Sequence, residues 1–242
     1  MLCFVLSPFR AFVIAFESAP NSLPVAAPLW YHRGIVVAII DYRAGNLTSV
    51  KLGLEYIGVE CEITDKPERI LSAERVIFPG VGAAGAAMAN LREMGLVETI
   101  KSVVAKGTPF LGICLGTQVI YEFSEEDGGT ECIGLVPGSV KRFTPSDPMC
   151  KIPQMGWNAV EIARAHPLFD GIEDSSEFYF VHSYYPDPSD DSYTTGRTEY
   201  ADARFASAVG RDNLFAVQFH PERSGRIGLR MLENFSRWDG QC

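Results

Sequence analysis

Pro109-Phe110-Leu111-Gly112-Ile113-Cys114-Leu115-Gly116-Thr117-Gln118 is the stretch from which the fold is read. The apolar run Phe110 to Ile113 has the length of one buried strand, and Gly112 to Gly116 has the glycine spacing of a nucleophile elbow with cysteine at its centre. Cys114 is therefore expected on a tight turn between a strand and a helix. Glycines two residues to either side permit the strained turn and a close helix–strand approach, so that the thiol projects. Unpaired N–H groups at a helix N-terminus favour negative charge, which suits a thiolate, and the Leu115 N–H is placed to face an oxyanion. The competing reading of Cys114 is a buried apolar filler, the commoner use of free cysteine.

Toward the N-terminus, Ile35 to Ile40 reads as a buried parallel strand, followed by Asp41-Tyr42-Arg43-Ala44-Gly45-Asn46 and a helix from Leu47 to Ile57. A second strand is expected at Val59 to Ile63, a polar helical turn opening at Pro67, and a third strand at Val76 to Phe78 before Pro79-Gly80-Val81-Gly82. This alternation predicts an α/β fold, a doubly wound and mainly parallel sheet whose sites gather at the carboxyl ends of strands. Asp41, Gly80 and Cys114 fall at such ends. Gly80 to Gly85 also spells G-x-G-x-x-G, but it follows the third strand, and no acidic residue closes a strand at the required distance. A turn that brings a second backbone N–H near Cys114 is the better use of those glycines.

Toward the C-terminus, Thr117 to Phe123 is expected to continue the elbow helix, and Ser124 to Thr130 to form an acidic surface loop. Strand-like stretches then succeed one another at Ser139 to Phe143, Asn158 to Ile162, Glu177 to Tyr184, Tyr193 to Thr198, Phe205 to Val209 and Leu214 to Phe219, predicting antiparallel additions to the sheet. Gly225 to Phe235 reads as a closing amphipathic helix.

The chain has 242 residues, 47% of them hydrophobic, with no run long enough to span a bilayer. Residues 34–242 are expected to form a single domain. Residues 1–33, with prolines at 8, 20, 24 and 28 breaking up apolar stretches, read as an N-terminal extension or a misassigned start, in preference to a signal peptide. A net charge of −9 argues against a nucleic-acid surface. The six cysteines form no C-x-x-C pair and no metal-ligand spacing, so a reducing, cytoplasmic setting with neither metal nor cofactor is expected.

A thiolate nucleophile needs a proton carrier, and there are four histidines. His32 lies in the extension, His166 reads as a solvated turn residue, and His182 as a histidine satisfied within a sheet. His220 ends the strand at Leu214 to Phe219, on the sheet's carboxyl edge, and Glu222 two residues on lies on its side of an extended backbone, where it can orient the imidazole. A solvated carboxylate at a helix start is the other reading of Glu222.

Pro79 to Gly82, Gly112 to Gln118 and Gln218-Phe219-His220-Pro221-Glu222 together resemble the class I (triad) glutamine amidotransferases. Within that family, Ile40 to Tyr42 with Gly45-Asn46, Pro153 with Met155-Gly156-Trp157-Asn158, and Phe180 to Tyr185 are similar to the glutaminase subunits of imidazole glycerol phosphate synthase. The resemblance runs from about Ile35 to Phe235 and implies a flavodoxin-like fold. It further implies that Cys114 attacks the glutamine amide, His220 moves the proton and Glu222 positions His220. Val81 and Leu115 would form the oxyanion hole, and Gly82, Gln118, Ser183 and Tyr184 would hold glutamine. The implied partner is a (β/α)8-barrel cyclase subunit in a heterodimer, met by Asn46, Trp157, Tyr179 and Arg223, for which ordinary core and sheet-face roles are the competing readings of Trp157 and Tyr179. Arg43-Ala44, Gln154 and Arg223 depart from the usual pattern at or near that surface. Two other functions compete: an ammonia-donating subunit of another class I amidotransferase, and a catalytically silent module that only binds a partner.

Overall fold

The computed structural model describes residues 37–44 and 46–241. The expectations for residues 1–33, His32 included, lie outside the described residues.

The parallel half of the main sheet comprises β1 (Val37–Ile40), β2 (Cys61–Thr64), β3 (Arg75–Gly80) and β4 (Phe110–Cys114). Between them run α1 (Leu47–Tyr56), α2 (Pro67–Ser72), α3 (Ala84–Glu93) and α4 (Leu96–Ala105), and after β4 comes the single-turn α5 (Leu115–Gln118). Strands β5 (Tyr121–Ser124), β6 (Thr130–Glu131), β7 (Val136–Arg142), β8 (Gln154–Ile162), β9 (Ser176–His182) and β10 (Tyr184–Pro188) follow. Then β11 (Thr194–Tyr200), β12 (Ala203–Arg211) and β13 (Leu214–Val217) lead to α6 (Gly225–Arg237).

The main sheet has nine strands in the order β2-β1-β3-β4-β13-β12-β11-β8-β9. From β2 to β13 the strands are parallel, in the order of a flavodoxin-like sheet, and from β12 onward each is antiparallel to its neighbour. Successive side chains of a strand point to opposite faces, and the parallel strands are buried on both. Ala38, Ile40, Val76 and Phe78 pack with Met88, Leu91, Leu96 and Ile100 of α3 and α4. Val37, Ile39, Ile77 and Leu111 pack with Leu54 of α1 and with Met231, Leu232 and Phe235 of α6. That is the physical basis of the continuous apolar runs at these strands.

Two expectations need correction. The elbow helix does not continue to Phe123: it ends at Gln118, and Tyr121–Ser124 is a strand. Burying the Tyr121 ring completely and pairing β5 with β6 and β7 outweighs the local helical preference of this segment. The Glu177 to Tyr184 stretch is likewise two strands: β9 closes the main sheet at His182, while Tyr184 begins β10 in a separate four-stranded sheet of order β10-β7-β5-β6. No helix among the described residues is long and apolar enough to cross a membrane.

Candidate active site

Cys114 is the last residue of β4 and takes φ +54°, ψ −110°, the strained backbone of a nucleophile elbow. The turn is held from three sides. Gly116 presses so close to Phe78 that a Cβ there would overlap the Phe78 carbonyl oxygen. The Thr117 hydroxyl donates to the Val217 carbonyl at 2.6 Å, tying α5 to β13. The Gln218 amide, wholly buried, donates to the Cys114 Sγ at 3.7 Å.

His220 follows the end of β13, one residue beyond Phe219, and its Nδ1 is 2.8 Å from Glu222 Oε1, with both side chains buried. Its backbone N–H donates to the Tyr179 carbonyl at 2.9 Å. Ser224 completes the clamp: its hydroxyl donates to the His220 carbonyl at 2.6 Å and accepts from the Tyr179 N–H at 3.0 Å. Burial disfavours a charged His220, but the charge of the neighbouring Cys114 sulfur together with Glu222 outweighs it and pushes the imidazole up to about 10. A protonated imidazole held between the Cys114 sulfur and the Glu222 carboxyl group is the arrangement this favours.

These groups open on a cavity of about 330 Å³ lined by Val81, Gly82, Cys114, Leu115, Gln118, Ser183, Tyr184 and His220, with Glu126, Pro153, Val181 and His182 completing the wall. The residues expected for the nucleophile, base, oxyanion hole and glutamine contacts thus meet at one place, with Glu222 behind His220. Gln118 is fixed by donating to the Tyr184 carbonyl and to Gln218 Oε1, each at 2.9 Å.

Three features differ from the sequence expectations. The acidic stretch Ser124 to Thr130 is not only a surface loop: Glu126 Oε2 accepts from the Ala84 N–H at 2.7 Å, and Asp127 accepts from the Gly85 N–H at 3.2 Å, capping α3. The donors a pyrophosphate would need at the Gly80 to Gly85 turn are taken by the protein's own carboxylates, so that turn is not a dinucleotide site. Burial raises the Glu126 carboxyl above its ordinary range, against the Ala84 hydrogen bond, and the group lines the cavity. His166 is not solvated: its Nδ1 accepts from the Leu168 N–H at 3.2 Å, its ring lies 4.2 Å from that of Phe215, and burial pushes it down to about 4. His182 is a buried sheet histidine but is only half satisfied: its Nδ1 is 2.7 Å from the Tyr184 carbonyl. Its Nε2 has no partner among the described residues, and burial lowers it to about 4.

Sequence reasoning did not assign roles to Gln218, Ser224 and Glu126. Gln218 directly precedes Phe219-His220 in the sequence, but nothing in its identity says that its amide reaches sulfur. Among the described residues there is no cluster of His, Cys, Asp or Glu suited to a metal ion.

Beside the site, Trp157 is 54% exposed and Met155 66% exposed. Trp157 meets Tyr179 edge to face at 6.2 Å, and the Arg223 guanidinium lies 5.3 Å from the Tyr179 ring centre. Trp157 is therefore not ordinary core. Asn46 is exposed at the start of α1, and Arg43 pairs with Glu93 at 2.7 Å.

With an elbow cysteine, a histidine and a carboxylate on a flavodoxin-like sheet, the chain belongs to the class-I glutamine amidotransferase family, whose pattern matches residues 38–237. It is 48% identical over 206 residues to the imidazole glycerol phosphate synthase subunit HisH of Nitrosococcus oceani, covering 84% of this chain and 98% of that one. It is 46% identical over 200 residues to the HisH subunit of Methanocaldococcus jannaschii, covering 83% and 98%. Within the class, it falls in the HisH branch. Among solved structures, PurLQS from Thermotoga maritima matches with a TM-score of 0.66 at 18% identity, over 84% of this chain and 97% of that one. The Trypanosoma brucei CTPS glutaminase domain with bound acivicin matches at 0.57 and 16% identity, over 84% and 94%. At such identities the likeness speaks for the fold.

Proposed function

We infer that this chain is the glutaminase subunit of imidazole glycerol phosphate synthase, with residues 34–242 as its one domain, working in histidine biosynthesis. It hydrolyses glutamine to glutamate and ammonia. The observation that carries the chemistry is the buried Glu222–His220 pair facing Cys114 across one cavity.

The Cys114 thiolate attacks the carbon of the glutamine side-chain amide, and the developing oxyanion is held by the N–H groups of Leu115 and Val81. His220 gives its Nε2 proton to the departing nitrogen, and ammonia leaves a γ-glutamyl thioester on Cys114. Neutral His220 then takes a proton from water, which attacks the thioester carbonyl and releases glutamate. Glu222, accepting from Nδ1–H, fixes the tautomer and stabilises the imidazolium in both halves of the cycle. Gly82, Gln118, Ser183 and Tyr184 hold glutamine, and the Glu126 carboxylate is suited to its α-ammonium group.

Ammonia passes to a (β/α)8-barrel cyclase subunit bound as a heterodimer against Asn46, Trp157, Tyr179 and Arg223. The exposed aromatic and methionine surface beside the site supports such an interface. The setting is cytoplasmic, where a reducing environment keeps Cys114 unoxidised.

The experiment is glutamate release from glutamine by this chain, with and without its barrel cyclase and the cyclase's nucleotide substrate, alongside Cys114→Ala. The reading requires stimulated release that the variant abolishes. No release under any condition leaves a silent binding module as the alternative.

A further inference from the structure

Tyr42 follows β1 and Asp41, in the loop that leads to Asn46. Its side chain is completely buried, with its ring packed on Phe78 at 5.3 Å. Its hydroxyl has no hydrogen-bond partner among the described residues. A buried hydroxyl without a partner is destabilising, so its retention calls for a physical reason. The hydroxyl lies where a side chain on Gly80 would begin: a Cβ built there overlaps it and stands 2.9 Å from the Leu115 Cβ and 3.0 Å from the Gly116 nitrogen. Burial, and then the charge of Cys114, push the phenol well above its ordinary value. Tyr42, the Gly80 turn and the elbow therefore meet at one point.

We propose that Tyr42 is a positioning residue for the oxyanion hole, its hydroxyl anchoring the Gly80–Val81 peptide when that peptide turns its N–H toward Cys114. The inference rests on the glutaminase reading of the site. Gly80 is the last residue of β3, paired with Cys114 across the ladder. Val81 lines the cavity, and Gly82 beyond it takes φ +102°. Glycine on both sides of Val81 lets the peptide rotate at little steric cost. A peptide's N–H and C=O point in opposite directions, so aiming the Val81 N–H into the cavity aims the Gly80 carbonyl away from it. The carbonyl is then the acceptor that the Tyr42 hydroxyl lacks. The hydroxyl thus favours the arrangement in which the Val81 N–H faces Cys114.

The test compares wild type with Tyr42→Phe in the full complex of this chain, its barrel cyclase and the cyclase's nucleotide substrate. The expected result is a fall in kcat for glutamate release of about tenfold, with KM for glutamine within about twofold. The isolated variant is expected to melt at the wild-type temperature or above, because the resting fold loses an orphan hydroxyl. Alkylation of Cys114 by iodoacetamide, which needs no oxyanion hole, is expected at the wild-type rate. An unchanged kcat with an active wild type overturns the Tyr42 proposal alone. A fall in kcat accompanied by a lower melting temperature or slower alkylation is a packing effect and overturns it too. No release by the wild-type complex overturns the functional reading, and the Tyr42 proposal with it.

Discussion

Cys114 at φ +54° is held in a conformation that costs a non-glycine residue on the order of 1–3 kcal/mol, and the clamp of Gly116, Thr117 and Gln218 maintains it. Strain at the reacting atom marks a built site. Glu222 contributes through His220, so Glu222→Gln, which keeps the shape but removes the charge, is expected to lower kcat by about a hundredfold or more while leaving KM nearly unchanged, as steady-state kinetics of the complex will register. With His220 at about 10, its imidazolium persists through neutral pH. The pH profile of kcat/KM is therefore expected to lack a basic limb below about pH 9; a limb centred near the ordinary histidine value contradicts the pair. His166 works in the opposite direction. Its folded value, about 4, is below the unfolded value, so its neutral form stabilises the chain fully above about pH 6.5 and that contribution is lost as pH falls toward 4. His182 has the same shift. Denaturant titrations between pH 7 and 4 are expected to show roughly half the acid-side slope in His166→Gln.

At the scale of elements, α5 and the Pro79 to Gly82 turn form the reacting edge of the sheet, and close approach leaves no room for a side chain at Gly116. Gly116→Ala places a methyl group against the Phe78 carbonyl and is expected to destabilise the fold by about 3 kcal/mol or more, seen as a lowered denaturation midpoint, with loss of glutaminase activity. The parallel strands β1, β3 and β4 and the long helices α1 and α6 were legible in the sequence because each is a sustained apolar run or a helical stripe whose burial is determined locally. Strand β5 was not legible. Its four residues alternate apolar and polar but are too few to set against the helix start that precedes them, and only tertiary pairing with β6 and β7 makes them a strand. The Glu126 cap on α3 escaped for the same reason, since Ala84 and Glu126 are 42 positions apart. His220 and Glu222 were legible because their relation is local, whereas Gln218 on the sulfur spans 104 positions.

For the whole molecule, the exposed Met155 and Trp157 lie beside half-buried Tyr179, whose ring is 6.5 Å from that of His220. On the proposed interface, partner docking and the proton carrier are neighbours. Trp157→Ala is expected to weaken binding of the barrel cyclase by about thirtyfold or more in calorimetric titration while leaving the melting temperature of the isolated chain nearly unchanged, because the side chain is half exposed. The central claim is that Cys114, alone among the cysteines, is the nucleophile of a glutamine site. Its most direct test is treatment of the partner-bound complex with a glutamine analogue that carries a chloromethyl ketone in place of its side-chain amide, followed by peptide mapping. The expected result is one covalent adduct, on Cys114, suppressed by excess glutamine. An adduct on Cys61, Cys132 or Cys150 instead, or none on a complex that still releases glutamate, would contradict it.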